Sequence, residues 1–352
     1  MNGKNRMKAH GEHPIVTVIM PVYNAAKYVP AALDSILAQT FQDFEVVAVD
    51  DGATDDSAAV LEKYTARDPR IRVFHQKNAG SAAARNKAIS LARGKYIAQH
   101  DADDLSMPAR LERQMRTLDA HPDLTAVFCR SVMTDENLTP LLKICSPMTL
   151  RKIRKAFRFR NALPSDFMIR TEALVRIGGF REAFLLAHDS DLNLRILETG
   201  NVICLPEVLY IIRRHKQQVS SARESEQRLF GALARAFAVE RKLRGRDSYE
   251  QFTKAGGLER FVRDYEFRDR FFLIAGERFL QSRRIPEARK YLEEAAKGPD
   301  TRLAAKLLLM KSHLPHVFLK GVESLKSRFW ERRWKKRIPR EVRSMLDGME
   351  KE

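Results

Sequence analysis

The chain has 352 residues, 44% hydrophobic and 31% charged, which fits a globular protein with one large domain and a smaller one. Its net charge of +18 points to a polyanionic partner: nucleic acid, an anionic membrane surface or a phosphate-bearing substrate. No run approaches the ~18–20 consecutive apolar residues of a membrane span, the polar first dozen residues hold no signal-peptide core, and three scattered cysteines, Cys129, Cys145 and Cys204, read as reduced core thiols and not as a disulfide or zinc framework, so a cytoplasmic location is expected.

The first half alternates strands and helices. VTVIMPV (Val16 to Val22) is a short β-rich apolar run, the pattern of a buried strand. Val29, Leu33, Ile36 and Leu37 recur at helical spacing, with Pro30 in the first turn. FEVVAVD is a second strand, followed by the turn DGATD and a helix from Ser57 to about Tyr64. IRVFHQ is a third strand, NAGSAAARNKAISLARG a loop and a helix ending at Gly94, and KYIAQ a fourth strand. A helix is expected from about Met107 to Leu118, with Asp104 and Ser106 at its start. This order implies a parallel sheet covered by helices. From Leu124 to Tyr210 the pattern is mixed, with TAVFCR, DFMIR and NVICLP as strands, TEALVRIGG as a short helix, and DSDLNLRILETG as a helix closed by Gly200. Beyond about Ser221 the chain reads as helical and basic. The expected division is a flexible 1–13, an α/β domain over 14–221, and a helical C-terminal region over 222–352, within which Ala275 to Met310 resembles one tetratricopeptide-like helix pair.

Each of the first four strands ends in a polar cluster: PVYN, then VDDGATDDS, NAGSAAARN and DADD. In an open α/β sheet, ligands bind beyond the carboxyl ends of the strands. Singly, Asp50 and Asp51 read as turn residues, and Asn78 and Gly80 as a permissive left-handed turn. Four such clusters at consecutive strand ends point instead to one nucleotide-sized pocket. The G-x-G-x-x-G turn of a dinucleotide oxidoreductase is absent, with PVYNAA in its place.

The stretch from Val16 to Ser57, with NAGSAAARNKAISLARGKYIAQHDADD, resembles the nucleotide-binding half of family 2 glycosyltransferases. GGFREAFLLAHDSDLNLRILETGNVICLPEVLYIIRRHKQQVS is similar to that family's acceptor half. The resemblance covers about Pro14 to Ser221. It implies a GT-A fold and a metal-dependent, inverting, non-processive transfer from a nucleotide-diphosphate sugar, with a UDP-sugar favoured. The acceptor it implies is a glycan or lipid-linked molecule of cell-surface polysaccharide or lipopolysaccharide synthesis. By resemblance, Asp103 binds Mn²⁺ or Mg²⁺, and Asp101 reaches the ribose or a metal-bound water. Asp51 accepts a hydrogen bond from the base. Pro21, Tyr23 and Asn24 line the base and ribose pocket, with Asn78 and Gly80 nearby, and Arg85 contacts the diphosphate or forms a salt bridge. Asp189 is the expected catalytic base and Asp191 an orienting residue. His188 stands where the family usually has Glu. His215 is either a metal or diphosphate neighbour or simply solvated.

The C-terminal region has a different character. Lys320 to Arg343 holds ten Lys or Arg, three acidic residues and both tryptophans, Trp330 and Trp334. Residues 316–343 suit a peripheral contact with an anionic membrane, on the cytoplasmic face of the inner membrane, or equally a helix packed on its own domain. No nucleic-acid-binding module is recognisable, and none is expected as a partner. The alternative to an enzyme is a basic adaptor with a degenerate sugar-nucleotide fold.

Overall fold

The structure, a computed structural model, describes residues 13–144, 166–215, 218 and 223–312. The expected strands form as β1 (Val16–Val22), β2 (Phe44–Asp50), β3 (Ile71–His75) and β4 (Tyr96–Gln99). Between them lie α1 (Val29–Leu37), α2 (Ser57–Arg67) and α3 (Ser81–Leu91). β1 and β2 are β-branched runs buried on both faces, which is what a central parallel strand requires. Glu45, the charge inside β2, accepts hydrogen bonds from Thr17 Oγ1 at 2.8 Å and Arg72 at 2.7 Å.

The mixed half follows as β5 (Leu105–Ser106), α4 (Arg110–Ala120), β6 (Leu124–Thr134), β7 (Pro140–Ile144), β8 (Met168–Arg170), α5 (Thr171–Arg176), α6 (His188–Thr199) and β9 (Asn201–Arg213). The sheet order is β3-β2-β1-β4-β8-β6-β9-β5, with β7 beside β6. The chain leaves β1 toward β2 and β3, then returns to place β4 on the other side of β1, all four strands running parallel. The carboxyl ends of β1 and β4 therefore flank the point where strand order reverses, the usual position of a ligand crevice.

Two expectations change. α4 starts at Arg110 rather than near Met107, because Leu105 and Ser106 pair with Ile211 and Tyr210 as a short strand. Asp104 is therefore not at a helix start. Its buried carboxylate accepts the Arg213 N–H at 2.9 Å and fastens the end of β9. β9 also runs on past Pro206 to Arg213. Phe128 pairs with Cys204 and Arg130 with Val208, so the residues around Pro206 bulge out of register and no ladder donor is needed there.

The helical half comprises α7 (Glu224–Arg244), α8 (Tyr249–Ala255), α9 (Leu258–Asp264), α10 (Arg268–Gln281), α11 (Ile285–Ala295) and α12 (Arg302–Ser312). α10 and α11 pack as a hairpin and α12 packs on α11. The composition shift near residue 221 does not divide the core. One apolar cluster runs from Ile19, Val47 and Ile97 through Phe184 to Phe230, Phe237, Phe252 and Phe271. Every residue of α7 from Phe230 to Phe237 is buried, as befits a helix covered on all sides. Segment 316–343 and Cys145 lie outside the described residues. Cys129 is a buried free thiol, and no helix among the described residues is long and apolar enough to cross a membrane.

Candidate active site

The strand ends bring most of the predicted residues together. Past β4, Asp101, Asp103 and Asp104 fan out into three environments. Asp104 is buried, and burial with its two acidic neighbours pushes its carboxyl well up. Asp103 is half-buried. Its Oδ2 accepts hydrogen bonds from His215 Nε2 at 3.0 Å and Gln218 Nε2 at 2.9 Å. Burial pushes the Asp103 carboxyl up, but these bonds outweigh it and hold the group below the ordinary range, ionised. Residues 112 positions apart thus meet at one cation-ready pair. The His215 ring stacks on Tyr28 with centroids 4.3 Å apart, and Arg213 lies over the same tyrosine at 5.1 Å.

Asp101 pairs with Arg85. Arg85 Nη2 donates to Asp101 Oδ1 at 2.5 Å, and Nη1 reaches His188 Nε2 at 2.9 Å and Ser81 Oγ. The guanidinium also lies over the Phe180 ring at 5.5 Å. Burial raises the Asp101 carboxyl against the opposing pull of Arg85. Burial first, and then Arg85, depress His188 to about 4, so its imidazole is neutral and accepts from the guanidinium. The salt-bridge role for Arg85 holds here, and it ties α3, β4 and α6 together.

α6 begins at His188 after Ala187, whose backbone is left-handed at φ 54°. A non-glycine residue in that region carries strain, which tends to gather at functional sites. Asn24, at the β1 exit, is also left-handed at φ 48°, and its Oδ1 accepts the Thr54 N–H at 2.8 Å. Asp189 stands in the first turn of α6. Its Oδ1 accepts the Ser190 N–H at 2.8 Å, and its charge acts on Asp101. A helix N-terminus favours an ionised carboxylate. Asp191 is fully buried. It accepts from Arg195 Nε at 2.9 Å and Arg181 Nη1 at 3.4 Å, which fixes α6 and leaves Asp189 facing the site's charges.

Asp51 is buried and largely engaged by the chain itself. It accepts the N–H groups of Ala79 and Gly80 at 2.9 Å each and the Gln76 amide at 2.7 Å. About three of a carboxylate's four acceptor positions are thereby filled. Gly52, at φ 70°, lets this loop close: a Cβ there would stand 2.8 Å from the Asn78 N. Asn78 itself is exposed, Tyr23 is 48% exposed at the mouth, and Pro21 is half-buried in β1. Four further residues join the site without a sequence signal of their own: Tyr28, Gln218, His100 and Tyr210. The Tyr210 hydroxyl accepts the Asp101 N–H at 3.0 Å. His100 Nδ1 lies 2.8 Å from the Asp101 carbonyl, and burial depresses its ring to about 3.

Residues 17–182 match the model described as glycosyl transferase family 2. That stretch is a family 2 glycosyltransferase domain. The chain is 33% identical over 207 residues to chondroitin synthase from Escherichia coli, covering 56% of this chain and 29% of that protein. It is 32% identical over 218 residues to the uncharacterized glycosyltransferase EpsJ of Bacillus subtilis, covering 59% and 63%. The chain thus spans less than two thirds of either relative. Among solved structures, S. aureus TarS 1–349 in complex with UDP-GlcNAc superposes with a TM-score of 0.57 at 20% identity, over 87% of this chain and 92% of that one. The fold is of the GT-A type, with a helical region appended.

Proposed function

We propose that this glycosyltransferase moves one sugar, with inversion and with a divalent metal, from a nucleotide-diphosphate sugar to a hydroxyl of a glycan or lipid-linked acceptor in cell-surface polysaccharide or lipopolysaccharide synthesis. A uridine nucleotide is favoured, since the structural neighbour TarS binds UDP and UDP-GlcNAc. The observation that carries the reading is the meeting of ionised Asp103 with His215, and of Asp101 with Arg85, at the β1/β4 switch point, with Asp189 on a helix start beside them.

These residues suit Mn²⁺ or Mg²⁺. Such hard cations accept one or two carboxylates and fill their shell with phosphate oxygens and water. Among the described residues, no group of three or more His, Cys, Asp or Glu could hold a metal ion; nucleotide phosphates and water would supply the remaining ligands. Asp103 would hold the ion, with Asp101 and His215 beside it. Bound there, it supplies charge neutralisation for the departing diphosphate. Arg85 holds Asp101 in place and adds positive charge to the pocket. Pro21, Tyr23 and Asn24 form the base and ribose wall. Asp51 shapes the Gln76–Gly80 loop and keeps one acceptor position for a base N–H. Asp189 takes the proton of the acceptor hydroxyl. The freed oxygen bonds to the anomeric carbon from the face opposite the nucleotide, and the electron pair of the breaking carbon–oxygen bond leaves with the nucleoside diphosphate.

UDP with Mn²⁺ is expected to raise the melting temperature. Asp103→Ala should abolish that metal-dependent rise, whereas Asp189→Asn should keep it and lose transfer. No shift with any nucleotide diphosphate would overturn the reading, and normal turnover by Asp189→Asn would overturn the choice of base.

A further inference from the structure

Three arginines of the helical half converge, and one of them, Arg278, lies within the field of Asp189. Arg228 and Arg235 lie seven residues apart, two turns along one face of α7. α10 packs against α7 and brings Arg278 into the fields of both, and into that of Asp189. Arg235 is only 5% exposed, and its Nε and Nη2 have no hydrogen-bond partner. The Nε atoms of Arg228 and Arg278 are buried and unpartnered too. The acidic groups nearby fall short of these needs. Glu224 engages Arg228 through Nη2, and Glu277 acts on Arg235 and Arg278 from a distance. Burial lowers Arg235 to about 10. Burial, and then Arg235 and Arg228, lower Arg278 to about 9. Arg235 and Arg278 thus remain cationic at neutral pH. Arg228 and Arg278 are half-buried, so solvent reaches both.

Guanidinium groups crowded together with unmet N–H donors are arranged for an anion, not for their own packing. Resting on the transferase reading above, we infer that Arg228, Arg235 and Arg278 form a subsite for a phosphate group carried by the acceptor, holding it so that its hydroxyl meets Asp189. Donors arriving from two helices suit a tetrahedral oxyanion with several oxygen faces, whereas a planar carboxylate is satisfied by one or two guanidinium forks. The donor's own diphosphate belongs to the Asp103 and Arg85 side, so the second anion is the acceptor's.

The test uses the full chain saturated with UDP and Mg²⁺, titrated with methyl phosphate by calorimetry. Binding is expected, weakened at least tenfold in Arg278→Gln and in Arg235→Gln, with UDP affinity unchanged. In the unmodified protein, methyl phosphate should also shield Arg278 from phenylglyoxal, read by peptide mass, so the answer does not depend on the variants folding. Normal UDP binding with no methyl phosphate binding or shielding would overturn the subsite alone. Equal binding of acetate would overturn the assignment to phosphate. Loss of UDP binding in the unmodified protein would instead strike the transferase reading.

Discussion

Asp247 joins the two halves of the chain, and replacing it with Asn tests how firmly. Its carboxylate is almost wholly buried. It accepts two hydrogen bonds from Arg181, at 2.7 and 3.1 Å, and one from Arg241. Arg181 also reaches Asp191 at 3.4 Å, and Arg241 reaches Glu198, both on α6. Removing one partner of a buried ion pair costs about 3–5 kcal/mol. Here the arginines keep Asp191 and Glu198, so Asp247→Asn should cost about 2–3 kcal/mol at pH 7.5, read from urea midpoints. Burial pushes the Asp247 carboxyl up, but Arg181 and Arg241 outweigh it and hold it below its ordinary 3.8. A depressed carboxyl stabilises the fold above the unfolded-state value and loses that contribution as pH falls through the folded-state value. The gap between the native protein and Asp247→Asn should therefore narrow below about pH 4. An equal gap at pH 7.5 and pH 3.5, or no gap at all, would refute the reasoning.

Other outcomes follow from single contacts. Tyr28→Leu removes the ring under His215 and Arg213, and an aromatic stack is worth about 0.5–1.5 kcal/mol. UDP affinity with Mn²⁺ should fall roughly 2- to 13-fold by calorimetry, and an unchanged affinity would exclude a supporting role. Gly94→Ala places a Cβ 2.5 Å from the Thr17 backbone N, so the β1–β4 seam must open. Overpacking of this kind costs about 1–3 kcal/mol, read as a lower melting temperature. Arg85→Gln withdraws the charge that Asp101 and the neutral His188 share, and UDP affinity should fall about tenfold or more. Affinity retained within twofold would leave Arg85 a purely structural tie.

How far the sequence could be read depends on where each signal sits. β1 and β2 were legible to the residue because a doubly buried parallel strand needs a continuous β-branched run, and few other structures do. Asp103 and His215 stand out in the sequence through family motifs, and their contact follows from the way β4 and β9 come together in the sheet. Asp51 was legible as a site residue, but its hydrogen bonds to a loop 28 residues on were not. β9 was cut short at Pro206 because a proline ends most strands, and the bulge that accommodates it depends on β6. Asp104 reads as a helix-start residue in the sequence because its partner, the Arg213 N–H, lies 109 residues away. The composition shift near 221 suggested a separate module because surface charge changes there, whereas the shared core is carried by spaced phenylalanines.

Phe184, four residues before His188, sits within 6.2 Å, ring to ring, of Phe230, Phe237, Tyr249 and Phe252. Four aromatic rings of the helical half therefore set where the loop leading to Asp189 begins. The family match ends at residue 182, just short of this nest. A graft of residues 17–182 onto another protein's tail would keep the first four strand ends but lose the aromatic contacts that set where this loop begins. A repacked ring at Phe252 would thus be felt at the start of α6, through Phe184, although the two lie in different halves of the chain.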